Sequence, residues 1–540
     1  MTKNITTDKK FLWIENNGEK KRLSRYMKIT EILNNIDDKT FKANLEFLTL
    51  NGISNITVGR EIYLNKNKLI DLQNKGLDVV SSNVNDLIEY LRECEYKAVK
   101  KNVHSKLGFS NYNGNEIYKL YNAIGIKSEY VGEYDVKPRG SKEKYIEMLK
   151  NEVFGKCELE FVIASSLSAV TLGYIGEELG LDSLLIHLVG NSTTGKSTAL
   201  KLAISCFGYP DVKRNGLYST YNSTNNAILK KLTGLKGVPL ALDEISMSHT
   251  NNFTNFVYSV ANGTDKDRLN KDSELKEKET WLTTILSNGE RSLISSSNKN
   301  AGVQIRVIEL ENVTWTKDAK NAENIKEAIL ESYGHIGLEF AGFVMQKEKE
   351  ALINQFKEVK NSFKDELEQK EISDNMIDRR CEKYAIILQT AYLFEEMMNV
   401  QLKIEEIKEM LIEVEKESIK NRNFKESAID YIKQYVEKYK NKFITEGNTN
   451  SSNDIFGKLI KNKNNNNNIE VQMDKISFER MIKEGGFEDK NVVLKELKAS
   501  GFLNCESDRY TRSRKNEFGI TVDYIVVSLN QCTAILTKSS

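Results

Sequence analysis

Residues 184–204 read LLIHLVGNSTTGKSTALKLAI: an apolar run of strand length, an octet with glycine at its first and sixth positions, and then a helix-forming run. The octet Gly190 to Ser197 fits GxxxxGK(S/T), and it sits between a strand and a helix, where a phosphate-cradling loop needs to sit. Gly190 and Gly195 free the backbone N–H groups to wrap phosphate oxygens, and the helix N-terminus faces the same negative charge. Lys196 is expected to reach the β and γ phosphates, and the Ser197 hydroxyl to ligate Mg²⁺. Asn191, Ser192, Thr193, Thr194 and Thr198 complete the expected nucleotide-binding set. A glycine-rich turn without a ligand is the bland alternative, and a second motif weighs against it.

That motif is residues 238–244, VPLALDE, an apolar strand ending in two acids. Downstream of such a loop, Asp243 is expected to serve the Mg²⁺ shell and Glu244 to orient the attacking water of ATP hydrolysis. A third apolar strand, WLTTILSN (281–288), ends in Asn288, whose amide could touch the γ-phosphate or the water, or could simply form a turn. With QIRVIELE (304–311) these runs are spaced as buried parallel strands, so residues 145–316 read as an α/β core.

Around it, residues 1–144 read as an N-terminal β-rich α+β domain, with turn signals NGISN and an Asn-Gly hairpin in LGFSNYNGNEIYKLYN. Residues 317–443 are almost wholly helical and highly charged, a lid with solvated faces. Residues 444–468, with TEGNTNSSND and five consecutive asparagines, read as a flexible linker, and 469–540 as a small last domain. The uncharged run 161–176 is too short to span a bilayer comfortably and predicts a buried helix instead.

The chain has 540 residues, enough for several domains, and its 78 Lys plus Arg against 77 Asp plus Glu give a net charge of +1. There is no global attraction to polyanions, so any nucleic-acid contact must be local. Six scattered cysteines without a CxxC pair indicate neither a zinc site nor a disulfide framework, and a charged N-terminus carries no export signal. The expected setting is a cytoplasm, without a membrane partner.

The succession GNSTTGKSTALKLAISCFG, VPLALDEIS, ANGTDKDRLN…ETWLTTILSNGE and AGVQIRVIELE resembles the AAA+ P-loop ATPase module of plasmid and phage primase-helicases. Within that family it is similar to the MCM-like self-loading replication helicases of mobile genetic elements, the Rep and cassette-chromosome helicases of staphylococcal islands. The resemblance spans roughly residues 100–400. It implies that Asn288 is the sensor-1 residue, that Arg306 is an arginine finger, and that Arg379 or Arg380 is the sensor-2 arginine of the lid. It also implies a channel hairpin over Asp265–Glu279, with Lys266, Arg268, Lys271 and Lys276 toward DNA, although charges of both signs suit an ordinary solvated hairpin equally.

Residues FERMIKEGGF, DKNVVLKELKASGFL and the following strand pair resemble a winged helix, whose Arg509, Arg512, Arg514 and Lys515, with Tyr510 among them, point to duplex DNA. The family implies a homo-hexameric ring that moves 3′ to 5′ on single-stranded DNA and acts at an origin duplex, with ATP and Mg²⁺ as cofactors. A P-loop regulator that binds DNA and uses ATP only as an assembly switch is the rival. A primase fusion finds no zinc-ligand cluster or acidic polymerase constellation to support it.

Overall fold

The computed structural model describes residues 4–16, 19–248, 250, 252–265, 278–297, 301–422, 424–445, 455–461, 468–487, 489–515 and 519–530. The expected channel-hairpin cations Lys266, Arg268, Lys271 and Lys276 lie outside the described residues.

The chain opens with a meander, β1 (Asn4–Thr7), β2 (Phe11–Asn16) and β3 (Glu19–Arg25), followed by β4 (Met27–Asn35), β5 (Phe41–Thr49) and β6 (Gly52–Gly59). In β5 the alternation works as a half-buried strand requires, with Ala43, Leu45 and Phe47 inward. Two short helices, α1 (Arg60–Tyr63) and α2 (Lys66–Asp71), lead to α3 (Val84–Lys97). The helix buries Val84, Leu87, Leu91 and Cys94, a stripe at helical spacing laid on the sheet. β7 (Val99–His104) joins the sheet parallel to β4.

β8 (Gly108–Tyr112) and β9 (Asn115–Lys119) form a hairpin. Its turn residues Asn113 and Gly114 both have positive φ, 52° and 85°, as a tight two-residue turn demands. β10 (Ala123–Ile124) extends this hairpin, and β11 (Glu129–Tyr130) pairs with β7 to give the order β11-β7-β4-β5-β6. The hairpin packs on the central core: Phe109 meets Tyr118 at 4.8 Å and Tyr174 at 5.3 Å. The hydrophobic cluster of the first sheet ends at Cys94, whereas Leu107, Phe109, Tyr118 and Leu120 belong to the central one.

α4 (Lys142–Met148) precedes α5 (Cys157–Leu179), which is apolar on every side and buried from Leu159 to Gly176. It is long and apolar enough to cross a membrane but is wholly enclosed by protein. Five parallel strands follow: β12 (Leu184–Val189), β13 (Tyr218–Thr220), β14 (Leu240–Asp243), β15 (Thr284–Gly289) and β16 (Val307–Glu311), ordered β13-β14-β15-β12-β16. Between them run α6 (Lys196–Ser205), α7 (Asn225–Leu232), α8 (Thr254–Asn262) and α9 (Ala301–Arg306). Helices α10 (Ala319–Glu331), α11 (Gly337–Met345), α12 (Lys349–Gln369), α13 (Ile377–Met398) and α14 (Ile404–Arg422) share the same core; α13 lies along α5, where Thr390 Oγ1 and Thr171 Oγ1 are 2.8 Å apart.

The C-terminal unit starts earlier than its asparagine content suggests. α15 (Phe424–Lys438) packs on it through Ile432, Tyr435 and Val436, and within the expected linker β17 (Phe443–Thr445) and β18 (Gly457–Lys461) are paired strands. β19 (Asn468–Asp474), α16 (Lys475–Glu484), α17 (Lys490–Ala499), β20 (Arg512–Lys515) and β21 (Thr521–Asn530) complete the sheet β17-β18-β19-β21-β20. Alternating apolar positions in GKLIK, with Leu459 buried, outweigh the flanking polar runs.

Gly108 fixes how the hairpin docks. Its φ is +92°, Phe109 N–H donates to the Lys236 carbonyl at 2.7 Å, and a Cβ at Gly108 would stand 1.9 Å from that same oxygen. Gly108→Ala therefore combines backbone strain with overpacking and is expected to cost about 2–5 kcal/mol of stability. An unchanged midpoint in urea unfolding would show that the hairpin is not held by this contact.

Candidate functional site

Because the strands are parallel, their C-terminal ends gather on one edge, and the register decides which residues meet there. Leu188 lies opposite Asn288 and Val189 opposite Gly289, while Thr220 lies opposite Asp243. The glycine-bounded loop, the acidic pair and Asn288 are brought together in this way.

Ser197 Oγ donates to Asp243 Oδ1 at 3.0 Å, Asn288 Nδ2 donates to Ser197 Oγ at 3.4 Å, and Asn288 Oδ1 accepts the Glu244 N–H at 2.7 Å. Four residues from two strand ends, the turn after one of them and a helix start form a single hydrogen-bonded chain. A hydroxyl and a carboxylate so placed are oxygen donors suited to a hard cation such as Mg²⁺. The Lys196 ammonium is largely buried and donates to the carbonyls of Gly190 and Asn191, each at 2.7 Å. Burial pushes its pKa down, and Glu244, Glu290 and Asp243 pull it up. Thr198 is buried within the first turn of α6, so it faces the loop through its backbone N–H, one of the helix-start donors.

The loop is fastened from outside. Trp315 N–H donates to the Thr194 carbonyl at 2.8 Å, and at Gly195, with φ +87°, a Cβ would meet Thr316 Oγ1 at 2.7 Å. Two non-glycine residues of the site, Thr193 and Glu244, hold φ of +76° and +61°. Such conformations cost about 1–3 kcal/mol each and persist where the surroundings fix them. At Glu244 the fixing contacts are its N–H to Asn288 and its Oε1, which accepts from the Ser246 hydroxyl.

Residues not singled out from the sequence complete this edge. Ser192 Oγ donates to Glu290 Oε1 at 2.5 Å, and Arg291 Nη2 donates to the Ile245 carbonyl at 3.2 Å, clamping the turn after Glu244. Behind them His187 is buried, its pKa pushed down to about 4 mainly by that burial. It is therefore neutral near pH 7. A carbonyl only accepts, so Nε2–H donates to Arg291 O at 2.9 Å and Nδ1 accepts from Ser287 Oγ at 2.8 Å. The available signal was position, since Glu290 and Arg291 lie two and three residues after Asn288.

At the opposite edge, where strands begin, lies a cavity of about 350 Å³ lined by Asp182, Asn262, Arg306, Arg379, Glu382 and Lys383 among others. Arg306 ends α9, stacks on Tyr258 at 4.4 Å from the ring centroid, and donates to Asn262 Oδ1 at 3.2 Å and to the Gly302 carbonyl at 3.0 Å. It therefore stands a strand's length, roughly 15–20 Å, from its own loop. The two arginines left open by the sequence differ. Arg380 is 1 % exposed, its Nε pairs with Glu415 Oε2 at 2.8 Å, and Nη1 donates to the carbonyls of Val307 at 2.6 Å and Gln304 at 3.2 Å. Arg379 is exposed and opens into the cavity.

In the C-terminal unit, α16 and α17 are followed by the β20–β21 hairpin. Arg509 pairs with Glu506 at 2.6 Å, Arg514 with Glu470 at 3.1 Å, and Arg512 donates to Asn504, whereas Lys515 is exposed on the hairpin. Two of these four cations, Arg509 and Arg514, are thus balanced by carboxylates inside the unit, which leaves less free charge than the sequence suggested.

Residues 6–280 match a family model described as a domain of unknown function, DUF927, and residues 423–532 match one described as the Cch helix turn helix domain. Among solved structures, one described as "SCCmec type IV Cch - active helicase" superposes with a TM-score of 0.78 at 22 % identity over 97 % of each chain, which shows a shared fold. No curated protein matches the chain.

The contrast between the arginines is measurable. Arg380→Met removes the cation beside the buried Glu415 carboxylate, which still accepts from the Tyr384 hydroxyl at 2.6 Å, and is expected to cost about 3–5 kcal/mol, whereas Arg379→Ala should stay within about 0.5 kcal/mol of the parent. Equal unfolding midpoints for the two variants would contradict this division of roles.

Proposed function

We propose, from the premise that the chain belongs to the DUF927 family, that it is an ATP-hydrolysing DNA helicase of a mobile genetic element. The observation that carries this reading is the hydrogen-bonded chain Asp243, Ser197, Asn288 and Glu244 beside the glycine-bounded loop. The shared fold with a structure described as an active helicase, and a helix-turn-helix match in the C-terminal unit, support the choice of DNA as the partner.

In this reading residues 145–316 are an AAA+ core. The N–H groups of the loop from Gly190 to Thr198 and Lys196 bind the triphosphate, and Ser197 with Asp243 holds Mg²⁺, which supplies charge neutralisation on the phosphates. Glu244 orients the water, and Asn288 positions Glu244 through its N–H while keeping Ser197 in line. Arg306 is too far from its own loop to serve it, and in a ring of six copies it completes the site of the neighbour, together with Arg379 as the sensor-2 residue. Motion is 3′ to 5′ on single-stranded DNA gripped in the channel by Lys266, Arg268, Lys271 and Lys276. The C-terminal unit is a winged helix that meets origin duplex DNA through Lys515 and Arg512, and through Arg509 and Arg514 where they exchange a carboxylate for a phosphate.

Lys196→Ala is expected to abolish hydrolysis, and Glu244→Gln to bind ATP yet turn over at least about 100-fold more slowly. Both should lose ATP-dependent separation of a forked duplex. Strand separation that persists in Glu244→Gln overturns the assignment of the water-orienting residue. A wild-type chain that hydrolyses ATP but never separates strands favours the assembly-switch regulator.

Deleting residues 424–540, the whole C-terminal unit, is expected to weaken duplex binding about 10-fold or more while single-strand binding changes little, because each lost phosphate contact removes a salt-dependent increment. Equal losses on both substrates would show that this unit does not read duplex DNA separately.

A further inference from the structure

The cavity at the strand-start edge contains a cation that neither the sequence motifs nor the family resemblance singles out. Lys383 lies one helical turn beyond Arg379 on α13, is 7 % exposed, and lines the cavity. Among the described residues no carboxylate or carbonyl bonds its ammonium. A buried ammonium without a partner is costly and is retained where a ligand supplies the missing charge. The groups facing it from every packed element are Asp182 at the start of β12, Arg306 at the end of α9, and Arg379, Arg380 and Glu382 on α13. Glu382 is already paired with Lys360 at 3.0 Å and Arg380 with Glu415, so Asp182, exposed at the rim, is the single carboxylate left against three cations. Burial pushes the Lys383 ammonium down to about 8.

The geometry points to Lys383 as a phosphate-binding residue that, with Arg306 and Arg379, receives the terminal phosphates of a nucleotide held by a second copy of this chain. This rests on the helicase reading above. The chain's own triphosphate loop is a strand's length away, so the anion arrives from another molecule. A cation at the bottom of a 350 Å³ recess suits the projecting end of a polyphosphate, whereas a nucleic-acid backbone is tracked by cations along an open groove. The two guanidiniums hold the entrance, one braced on Tyr258 and Asn262, and the ammonium closes the inner end.

The test uses the full-length chain with saturating ATP and single-stranded DNA. Lys383→Met is expected to lower kcat about 10- to 100-fold, the size of one hydrogen bond to a charged group, with unchanged binding of a fluorescent ATP analogue to the free chain. Its melting temperature should equal or exceed the parent's, because an unpaired buried charge is removed. Lys383→Arg should regain much of the rate. At subsaturating ATP the parent's kcat/KM should fall as pH rises through about 8, and this fall should be absent in Lys383→Met. Mixing Lys383→Met with Lys196→Ala should restore activity, as mixing Arg306→Ala with Lys196→Ala should. Wild-type turnover by Lys383→Met while Arg306→Ala is inactive overturns the assignment of Lys383 and leaves the shared site standing. Failure of Lys383→Met to be rescued in mixtures that rescue Arg306→Ala also overturns it. Lost DNA binding with normal basal ATPase makes the cavity a nucleic-acid site and overturns it as well. If Arg306→Ala is itself fully active, the shared-site reading beneath the proposal fails.

Discussion

One constraint orders the molecule: β12 is hydrogen-bonded on both sides in parallel register, to β15 through Leu188–Asn288 and to β16 through Leu188–Leu310. Parallel pairing forces every crossover through a helix and sends all strand ends of one kind to one edge. The loop, the acidic pair and Asn288 therefore converge at one edge, where their hydrogen bonds link them. The same constraint puts Arg306, which precedes β16, on the far edge. Two chemically charged edges on opposite sides of one sheet are a direct product of strand direction.

The sheet keeps this geometry because its faces are covered. α5 is buried along nearly its whole length and fills one side, and α13 lies against it with Thr390 and Thr171 hydroxyls in contact at 2.8 Å. A helix apolar all round cannot face water, so it locks the helical region to the sheet. Arg380 and Glu415 add a buried ion pair that ties α13 and α14 to the carbonyls just before and at the start of β16.

What could be read from the sequence follows from the range of the forces involved. The strand ends at Gly190, Asp243 and Asn288 were legible because apolar runs of strand length stop abruptly at them, a purely local signal. The hairpin over residues 108–119 was legible from Asn113-Gly114. Arg379 and Arg380 could not be separated, because neighbours on a helix point about 100° apart and the partner that decides, Glu415, is supplied by another helix. Lys383 escaped notice for the same reason: a lysine in a charged helix reads as solvent-facing, and only the tertiary packing encloses it. The extent of the C-terminal unit was misjudged because polar runs dominate the composition around β18, while its pairing partner β19 lies beyond them. Of the charged insertion expected to face DNA, residues 266–277 lie outside the described residues.

The fastening of the phosphate loop by Trp315 and Thr316 has a kinetic consequence. A loop whose Thr194 carbonyl is already held at 2.8 Å, and whose Gly195 is packed against a neighbouring side chain, has surrendered its conformational entropy during folding and not at the moment of ligation. Ligand capture then approaches a lock-and-key encounter limited by diffusion and orientation, and residence time is governed by how readily the contacts made by the ligand itself break. In the proposed ring, release of spent nucleotide falls to the neighbouring copies, since the loop has little freedom of its own with which to let go.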